Sequence, residues 1–470
     1  MKKLLALCLA LLVVCGVFAA CNDNLHKEIT KDAGEDTTGS TAAPAKATAL
    51  TALLSTPSQA AVWEEIAQSY QKETGVKLRV TTVSSDTYPS ALSKQLKGDD
   101  APVIFEWIRT AKDDSLRDAM TDLKGTGFAS FLSDTALALR SGDKVQAVPV
   151  DVSVFGILYN EALTDRYFAL KDKGTSYSSM AEINSFEKLS RLAEDLQKHK
   201  ADLGIDGAFA APAYKGKDGS VWQQEIANAA VYAEAKRSDG ALDDLAAFLK
   251  DTFDFTYSDN VKGLLDLTAK NADADAKTLK NRTAADARNS FRQGKAVFLL
   301  DGTDASEALF SDGSTLKAQQ VKLLPLYLGA DGEETGGLSV RVERALAVND
   351  KADADRKQAA VDFLEWLFSS EQGKRFVFEK LRLRAPLTSF ADDERVSDPL
   401  TRTALATLGK NGRESVPEVL DRFLPVEGME RVSDYLLSYL RGERGWDDLM
   451  RDMRERWKQM WKDGTDLMEN

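Results

Sequence analysis

Cysteine and histidine are scarce in this chain, and where they fall narrows its chemistry. Three cysteines occur in 470 residues, at positions 8, 15 and 21, so no thiol follows residue 21. That excludes an internal disulfide framework and a cysteine nucleophile in the body of the chain. The two histidines are His26 and His199. His199 sits in Lys198-His199-Lys200, a basic helix end where a solvated ring is expected. No G-x-S-x-G, H-E-x-x-H or phosphate-binding glycine loop is present. Asn271-Ala-Asp273-Ala-Asp275 begins like a calcium loop, but it lacks glycine at the sixth position and carries Arg282 at the twelfth. No metal, cofactor or catalytic residue is therefore expected, and the chain reads as a non-enzyme. Carboxylates are plentiful, yet nothing singles out an acid pair for glycoside chemistry. Basic residues number 61 against 74 acidic ones, a net charge of −13, which argues against nucleic acid as a partner.

What is there is ordinary soluble composition, with 43% hydrophobic and 29% charged residues. A chain of this length exceeds one compact core and is expected to form two or three domains. Lys2-Lys3, the apolar run Leu4–Phe18 and Ala19-Ala20 read as an export signal, too short for a membrane span. Phe18-Ala19-Ala20-Cys21 resembles a bacterial lipobox, whose cysteine is acylated after cleavage. That implies export and a lipid anchor at Cys21; the other reading is an ordinary signal peptide beside a free cysteine. A single terminal thiol fits acylation. Residues 22–46, rich in Thr, Ala, Gly, Asp and Lys, read as a flexible tether.

Phe291–Gly302 states the pattern of the rest: a helix end, a polar turn, the buried run Ala296–Leu300, then an abrupt Asp301-Gly302. Strand ends of this kind are where α/β proteins place ligands. The pattern recurs at Leu50–Ser58, Val103–Arg109 and Val148–Asn160. Three successive β-loop-α units are expected, with helices at Ala61–Tyr70, Tyr88–Leu96 and Asp113–Leu123, arguing for a mostly parallel sheet. Val145–Asn160 is too long for a typical strand and reads as two strands crossing near Asp151–Ser153. Glu161–Ser290 reads as strongly helical. Val321–Leu328 and Leu338–Val348 read as strands, Ala354–Phe368 as an amphipathic helix, and the chain from Asp398 as nearly all helix. Trp446, Met450, Met453, Trp457 and Met460–Trp461 form a core-packing stripe on the last helix.

These segments resemble, in order, the extracellular solute-binding proteins of ABC importers, in the sugar-binding branch that includes maltose-binding protein. Phe291–Gly302 resembles the family's F-x-x-G-K-A-x-(apolar)-G segment. Val148–Asp151 with Ile157–Asn160 resembles its P-x6–9-L-Y-N segment, and Pro102–Trp107 its P-D-(apolar)-W strand, with Val103 in place of Asp. Ala359–Leu364, Trp366–Leu367, Ser370–Gly373 and Arg384–Thr388 resemble its closing helix and following loop. The resemblance implies a two-lobe periplasmic-binding-protein-like α/β fold with discontinuous lobes, hinge crossings and a helical C-terminus. Carried onto this chain, the crossings fall near Asp151–Phe155, Glu334–Leu338 and Pro386–Ala391. The first lobe takes 47–151 and 338–388, the second 152–337 and 389–470. It further implies a monomer, extracytoplasmic and lipid-anchored. Such a protein would bind a small solute, expected to be a sugar, in the interlobe cleft and dock on an ABC permease. Alternatives are a sensory or binding lipoprotein for a polyamine or peptide, and a polysaccharide-active enzyme.

Sugar recognition needs aromatic rings for pyranose C–H faces and planar polar groups for hydroxyls. Trp107 ends the third strand and matches the family's cleft Trp. Asp151, at the first crossing, is read as binding either ligand or an arginine. Asp301 and Asp304, where relatives carry an aromatic residue, favour a polar or cationic ligand group. Tyr214 and Trp222 are candidate stacking rings. Ser58 and Asp86 are first-lobe candidates, with helix capping as the other reading. Arg341 is a candidate that could instead neutralise Asp151.

Overall fold

The structure, a computed structural model, describes residues 49–109, 114–214, 219, 221–242, 244–279, 281–396, 398–420 and 434–463. The export signal, Cys21, the tether and His26 lie outside the described residues.

Among the described residues ten strands form one mixed sheet. They are β1 (Leu50–Leu54), β2 (Leu78–Thr82), β3 (Ile104–Ile108), β4 (Leu139–Ser141), β5 (Lys144–Asn160), β6 (Gly207–Phe209), β7 (Ala296–Gly302), β8 (Val321–Leu324), β9 (Gly336–Val348) and β10 (Glu414–Pro417). The order is β2-β1-β3-β9-β5-β7-β6, with β10 on β9 and β4 and β8 on β5. The sheet is not the mostly parallel one expected, because the long β5 and β9 strands run antiparallel to most of their neighbours. The expected β-loop-α opening is present, and β1 pairs parallel with both β2 and β3. The helix Ala60–Thr74 buries Trp63, Ile66 and Tyr70 at helical spacing and ends at Gly75 in the left-handed region. Beyond the short β1–β3 pairing, the Tyr88 hydroxyl fills the gap. It takes the Glu106 N–H at 2.8 Å and donates between the Leu53 and Glu106 carbonyls.

Several expectations change. Asp113–Leu123 is not an α-helix: a 3-10 turn covers Asp114–Ala119, and Met120 bridges to Asn349. Ser58 does not cap the first helix; it lies inside the 3-10 turn Pro57–Gln59. The helical stretch contains β6, and the C-terminal region contains β10. Both strands are three or four residues long and carry too few positions to show a period of two.

The largest correction is β5. Val145–Asn160 is one strand, not two. Its first half pairs antiparallel with β9 from Val148 to Phe155, and its second half pairs with β7 from Phe155 to Tyr159. The register with β9 shifts on either side of Asp151. Pro149 has no N–H for the ladder, so the irregularity is taken up as a bulge while the chain stays extended.

Two large hydrophobic clusters lie along this sheet. One draws on Leu50–Val154, Leu338–Phe390 and the trio Ala404, Leu405 and Leu408. Within it the Tyr70 ring lies 5.0 Å from Phe363 and 5.1 Å from Trp366. The other draws on Phe155–Leu328 and Leu436–Met450. Of the expected stripe, the final helix, Trp446–Asp463, buries Trp446, Met450 and Trp457 and half-buries Met453 and Trp461, while the Met460 side chain lies outside the described ones.

Two glycines let the strands close up where the clusters meet. A Cβ on Gly302 would lie 2.4 Å from the Val154 carbonyl oxygen, and one on Gly156 2.3 Å from that of Leu324. Both obstacles are backbone, which cannot rotate away. Gly302→Ala is therefore expected to destabilise the protein by about 1–3 kcal/mol, read as a lower urea midpoint with unchanged slope. A midpoint equal to wild type would mean that β5 and β7 are not so tightly apposed.

Candidate functional site

The site starts from a feature that strands rarely carry: charges on both faces. β9 reads Arg341-Val342-Glu343-Arg344 through its middle. Alternation sends Arg341 and Glu343 to one face and Arg344 to the other. The Arg341 Nε–Glu343 Oε1 distance of 2.8 Å agrees with a shared face.

On the Arg344 side, Asp151 is 8% exposed and has both oxygens occupied. Arg344 Nη2 donates to Oδ2 at 3.0 Å, and Arg384 Nε donates to Oδ1 at 2.9 Å. Arg344 Nε and the Arg384 backbone N–H add two longer bonds. Burial alone would push this carboxyl up, but Arg384 and Arg344 outweigh it and hold Asp151 below the usual aspartate range. Arg344 Nη1 reaches Thr56 Oγ1 at 3.1 Å and stands 3.8 Å from Glu106, so the turn after β1 also joins the group.

On the other face Arg341 is held by three carboxylates: Glu225 at 2.9 Å, Asp304 at 2.9 Å and Glu343 at 2.8 Å. Burial opposes its charge, but Glu225 and Glu343 more than offset that and raise its pKa. Asp304 follows β7 on the 3-10 turn Thr303–Ala305. It accepts from Arg341, from Arg384 Nη1 at 2.8 Å and from Ser153 Oγ at 3.1 Å. Arg384 therefore joins Asp151 to Asp304. Glu225 lies on the π-helical turn Val221–Ile226, and Arg384 follows another at Phe376–Leu381. Such turns re-aim side chains relative to a regular helix. Arg382 between them adopts a left-handed conformation, φ 53°, which turns the chain out of the helix and back toward β5.

Beside Asp304 and Arg341 lies a cavity of about 220 Å³. Its walls include Phe155, Val154 and Val221, with Glu225, Asp301 and Arg288 supplying polar groups. Arg288 grips Asp301 through two bonds, at 2.7 and 3.2 Å.

Of the residues singled out from sequence, Asp301, Asp304 and Arg341 line this cavity. Arg341 does not neutralise Asp151, which belongs to Arg344 and Arg384. Trp107 is half-buried on β3 opposite Ala345 and packs on the cluster that holds Phe105 and Tyr88. Alternation gives Trp107 the face of Arg109, whose Nε lies 3.2 Å from Glu343. Tyr214 and Trp222 do not form an open stacking platform: they are 0% and 2% exposed and stack on each other at 5.4 Å. Ser58 and Asp86 are exposed turn residues away from the cavity walls. His199 is not the solvated ring expected, since its side chain is 14% exposed and bonds Asp202 at 3.1 Å. In the calcium-like segment Arg282 pairs with Asp273 at 2.7 Å, putting a cation where the metal would sit. Among the described residues no acid or histidine cluster could hold a metal ion.

Sequence reading missed Ser153, Phe155, Glu225, Arg288, Glu343, Arg344 and Arg384. The two strings that announce part of this set are charges inside an apolar strand at 341–344 and the alternation Arg382-Leu-Arg384 before Pro386. Arg288 carries no such signal, because it sits on an ordinary polar helix face, and Glu225 carries none because a π-helical turn aims it inward.

The model of the bacterial extracellular solute-binding protein family matches residues 65–404. A search of curated proteins finds no match. Among solved structures, a family 1 extracellular solute-binding protein from Bifidobacterium longum is similar, with TM-score 0.61 and 17% identity, covering 86% of this chain and 97% of that one. A family 1 solute-binding protein from Alicyclobacillus acidocaldarius has TM-score 0.64 and 13% identity, covering 90% and 100%. A cyclic α-maltosyl-1,6-maltose binding protein from Arthrobacter globiformis has TM-score 0.56 and 16% identity, covering 89% and 100%.

Proposed function

The chain belongs to the bacterial extracellular solute-binding proteins, and on that premise we propose that it is the substrate-binding protein of an ABC importer for a carbohydrate. Its lobes, 47–151 with 338–388 and 152–337 with 389–470, close on the solute by hinge motion and present it to a membrane permease. Cys21 carries the lipid anchor, the chain acts as a monomer, and no covalent chemistry occurs on it.

One observation carries this reading. Where β5 and β9 run between the two hydrophobic clusters, planar charged groups surround a cavity with an aromatic wall. Phe155 offers a flat apolar face to a sugar ring. Arg341, Asp301 and Glu225 offer fixed, directional partners to hydroxyls. At about 220 Å³ the cavity falls below the roughly 300–1,000 Å³ of drug-sized sites, favouring a solute of one ring. A second reading, a polyamine or peptide receptor of the same fold, draws support from Glu225, Asp301 and Asp304 against Arg288 and Arg341 on the same walls.

A thermal-shift screen over monosaccharides, oligosaccharides, polyamines and short peptides separates the two. A ligand at a hundredfold excess over its Kd adds about 2.7 kcal/mol of stability. Monosaccharides are expected to raise the melting temperature most. A response confined to polyamines or peptides would replace the carbohydrate reading, and turnover of a polysaccharide would overturn both.

A further inference from the structure

We propose that Asp304 is an internal stand-in for a carboxylate of the solute, and that the solute is an acidic sugar such as a hexuronate. The inference rests on the reading of the cavity as the solute site. It begins with where the charges point. Arg341 Nη2, Arg384 Nη1 and Ser153 Oγ converge on one carboxylate, at 2.9, 2.8 and 3.1 Å. The three donors come from β9, from the segment after the Phe376–Leu381 turn and from β5, so the arrangement is set by the fold rather than by one loop. Two guanidiniums and a hydroxyl aimed at one point form a carboxylate-binding site.

The carboxylate that fills it is the loosest member of the group. The Asp304 side chain is 48% exposed, against 16% for Arg341 and 9% for Glu225. Its carboxylate side is open to water, so its ion pairs are screened and exchanged more readily than pairs buried on both sides. It rides on a three-residue turn at the end of β7, with solvent on its open side. The Ser153 hydroxyl, with one proton to give, is also 3.1 Å from Glu343, so two acceptors compete for one donor. By contrast, Asp301 is held by both arms of Arg288, and Asp151 has every acceptor position in use.

The chemistry of exchange then selects the solute. As a solute enters and water leaves, Arg341 keeps Glu225 and Glu343 and Arg384 keeps Asp151, but Arg341 Nη2 and Arg384 Nη1 lose the acceptor they share and favour an anion in its place. A neutral hydroxyl accepts a hydrogen bond but brings no charge, and an ammonium group repels both guanidiniums. A solute carboxylate replaces Asp304 with the charge balance of the site unchanged, while Asp304 turns to water. The ring behind that carboxylate falls against Phe155, with Glu225 and Asp301 left to its hydroxyls. In the empty protein Asp304 occupies Arg341 Nη2 and Arg384 Nη1 and acts as a built-in competitor.

The test uses Asp304→Ala and wild type, each with sodium acetate, and each with a panel of D-glucuronate, D-galacturonate and D-mannuronate beside their neutral parent sugars and D-glucosamine. Acetate is expected to raise the melting temperature of the variant above that seen with sodium chloride at equal ionic strength, and to leave wild type unmoved. At least one hexuronate is expected to bind wild type in preference to its neutral parent, and to bind Asp304→Ala at least tenfold tighter. Asp304→Asn, which keeps the shape without the charge, is expected to show the same tightening. Equal responses to acetate and chloride in the variant would overturn the carboxylate site. Binding of a neutral sugar with no gain for any hexuronate would overturn this inference and leave the carbohydrate reading standing. Acetate rescue with no saccharide binding at all would keep the carboxylate site and end the carbohydrate reading.

Discussion

Asp151→Ala is expected to cost about 3–5 kcal/mol of stability, the range for removing one partner from a buried ion pair. The carboxylate is 8% exposed and is the only acceptor described for Arg384 Nε and Arg344 Nη2. Its loss leaves two guanidiniums facing each other at the middle of the longest strand. The effect has a pH signature. Asp151 is held below the ordinary aspartate value, so the unfolded chain takes up its proton first as pH falls. The stability it contributes is fully present above about pH 4 and is lost as pH drops through the lower folded value. Urea titrations of both proteins at pH 7 and pH 3 are the check. The gap in unfolding free energy should be wide at pH 7 and narrower at pH 3. A gap below about 1 kcal/mol at pH 7 would place the pair with weak surface bridges instead.

Trp222→Ala is expected to cost about 3–5 kcal/mol, the range for truncating a buried aromatic side chain. Trp222 is 2% exposed and lies stacked on Tyr214 with ring planes 20° apart, inside the second hydrophobic cluster. Its indole N–H has no hydrogen-bond partner among the described residues. Trp222→Phe discards that donor while keeping a ring, so a much smaller loss of stability is expected. The same variant distinguishes packing from recognition. A core ring lets Trp222→Phe bind the solute with wild-type Kd, whereas a stacking platform would weaken binding at unchanged stability. Binding and denaturation measured on one preparation decide between them.

These two residues also mark where sequence reading worked and where it stopped. Asp151 stood out because a carboxylate interrupts an apolar run, and burial without a partner would be costly; that it needs either a ligand or an arginine followed from physics, and the fold supplies arginines. Which arginine did not follow. Arg344 and Arg384 lie 193 and 233 positions away, a pairing that only the fold can make. Trp222 and Tyr214 looked like binding rings because loops carry function, yet their segment folds inward. The β2 strand, the Ala60–Thr74 helix and the Trp446 stripe were legible from periodicity, and β1 and β3 from apolar runs that stop at polar turns. The single β5 strand was not, because Pro149 and Asp151 look like a break and behave as a bulge. Glu225 was hidden for another reason: a π-helical turn changes which side a residue faces without changing composition.

The contact of Tyr70 with Phe363 and Trp366 has a consequence in time. The N-terminal cluster cannot close until residues nearly three hundred positions downstream have arrived, and the Gln59–Leu381 hydrogen bond extends that wait further. Contacts of such sequence separation make folding slow, because a long loop must be ordered before any reward is gained. Until then a nascent chain of this kind leaves Trp63, Ile66 and Tyr70 without the partners that cover them in the folded protein, which is the apolar exposure that makes folding intermediates prone to aggregate.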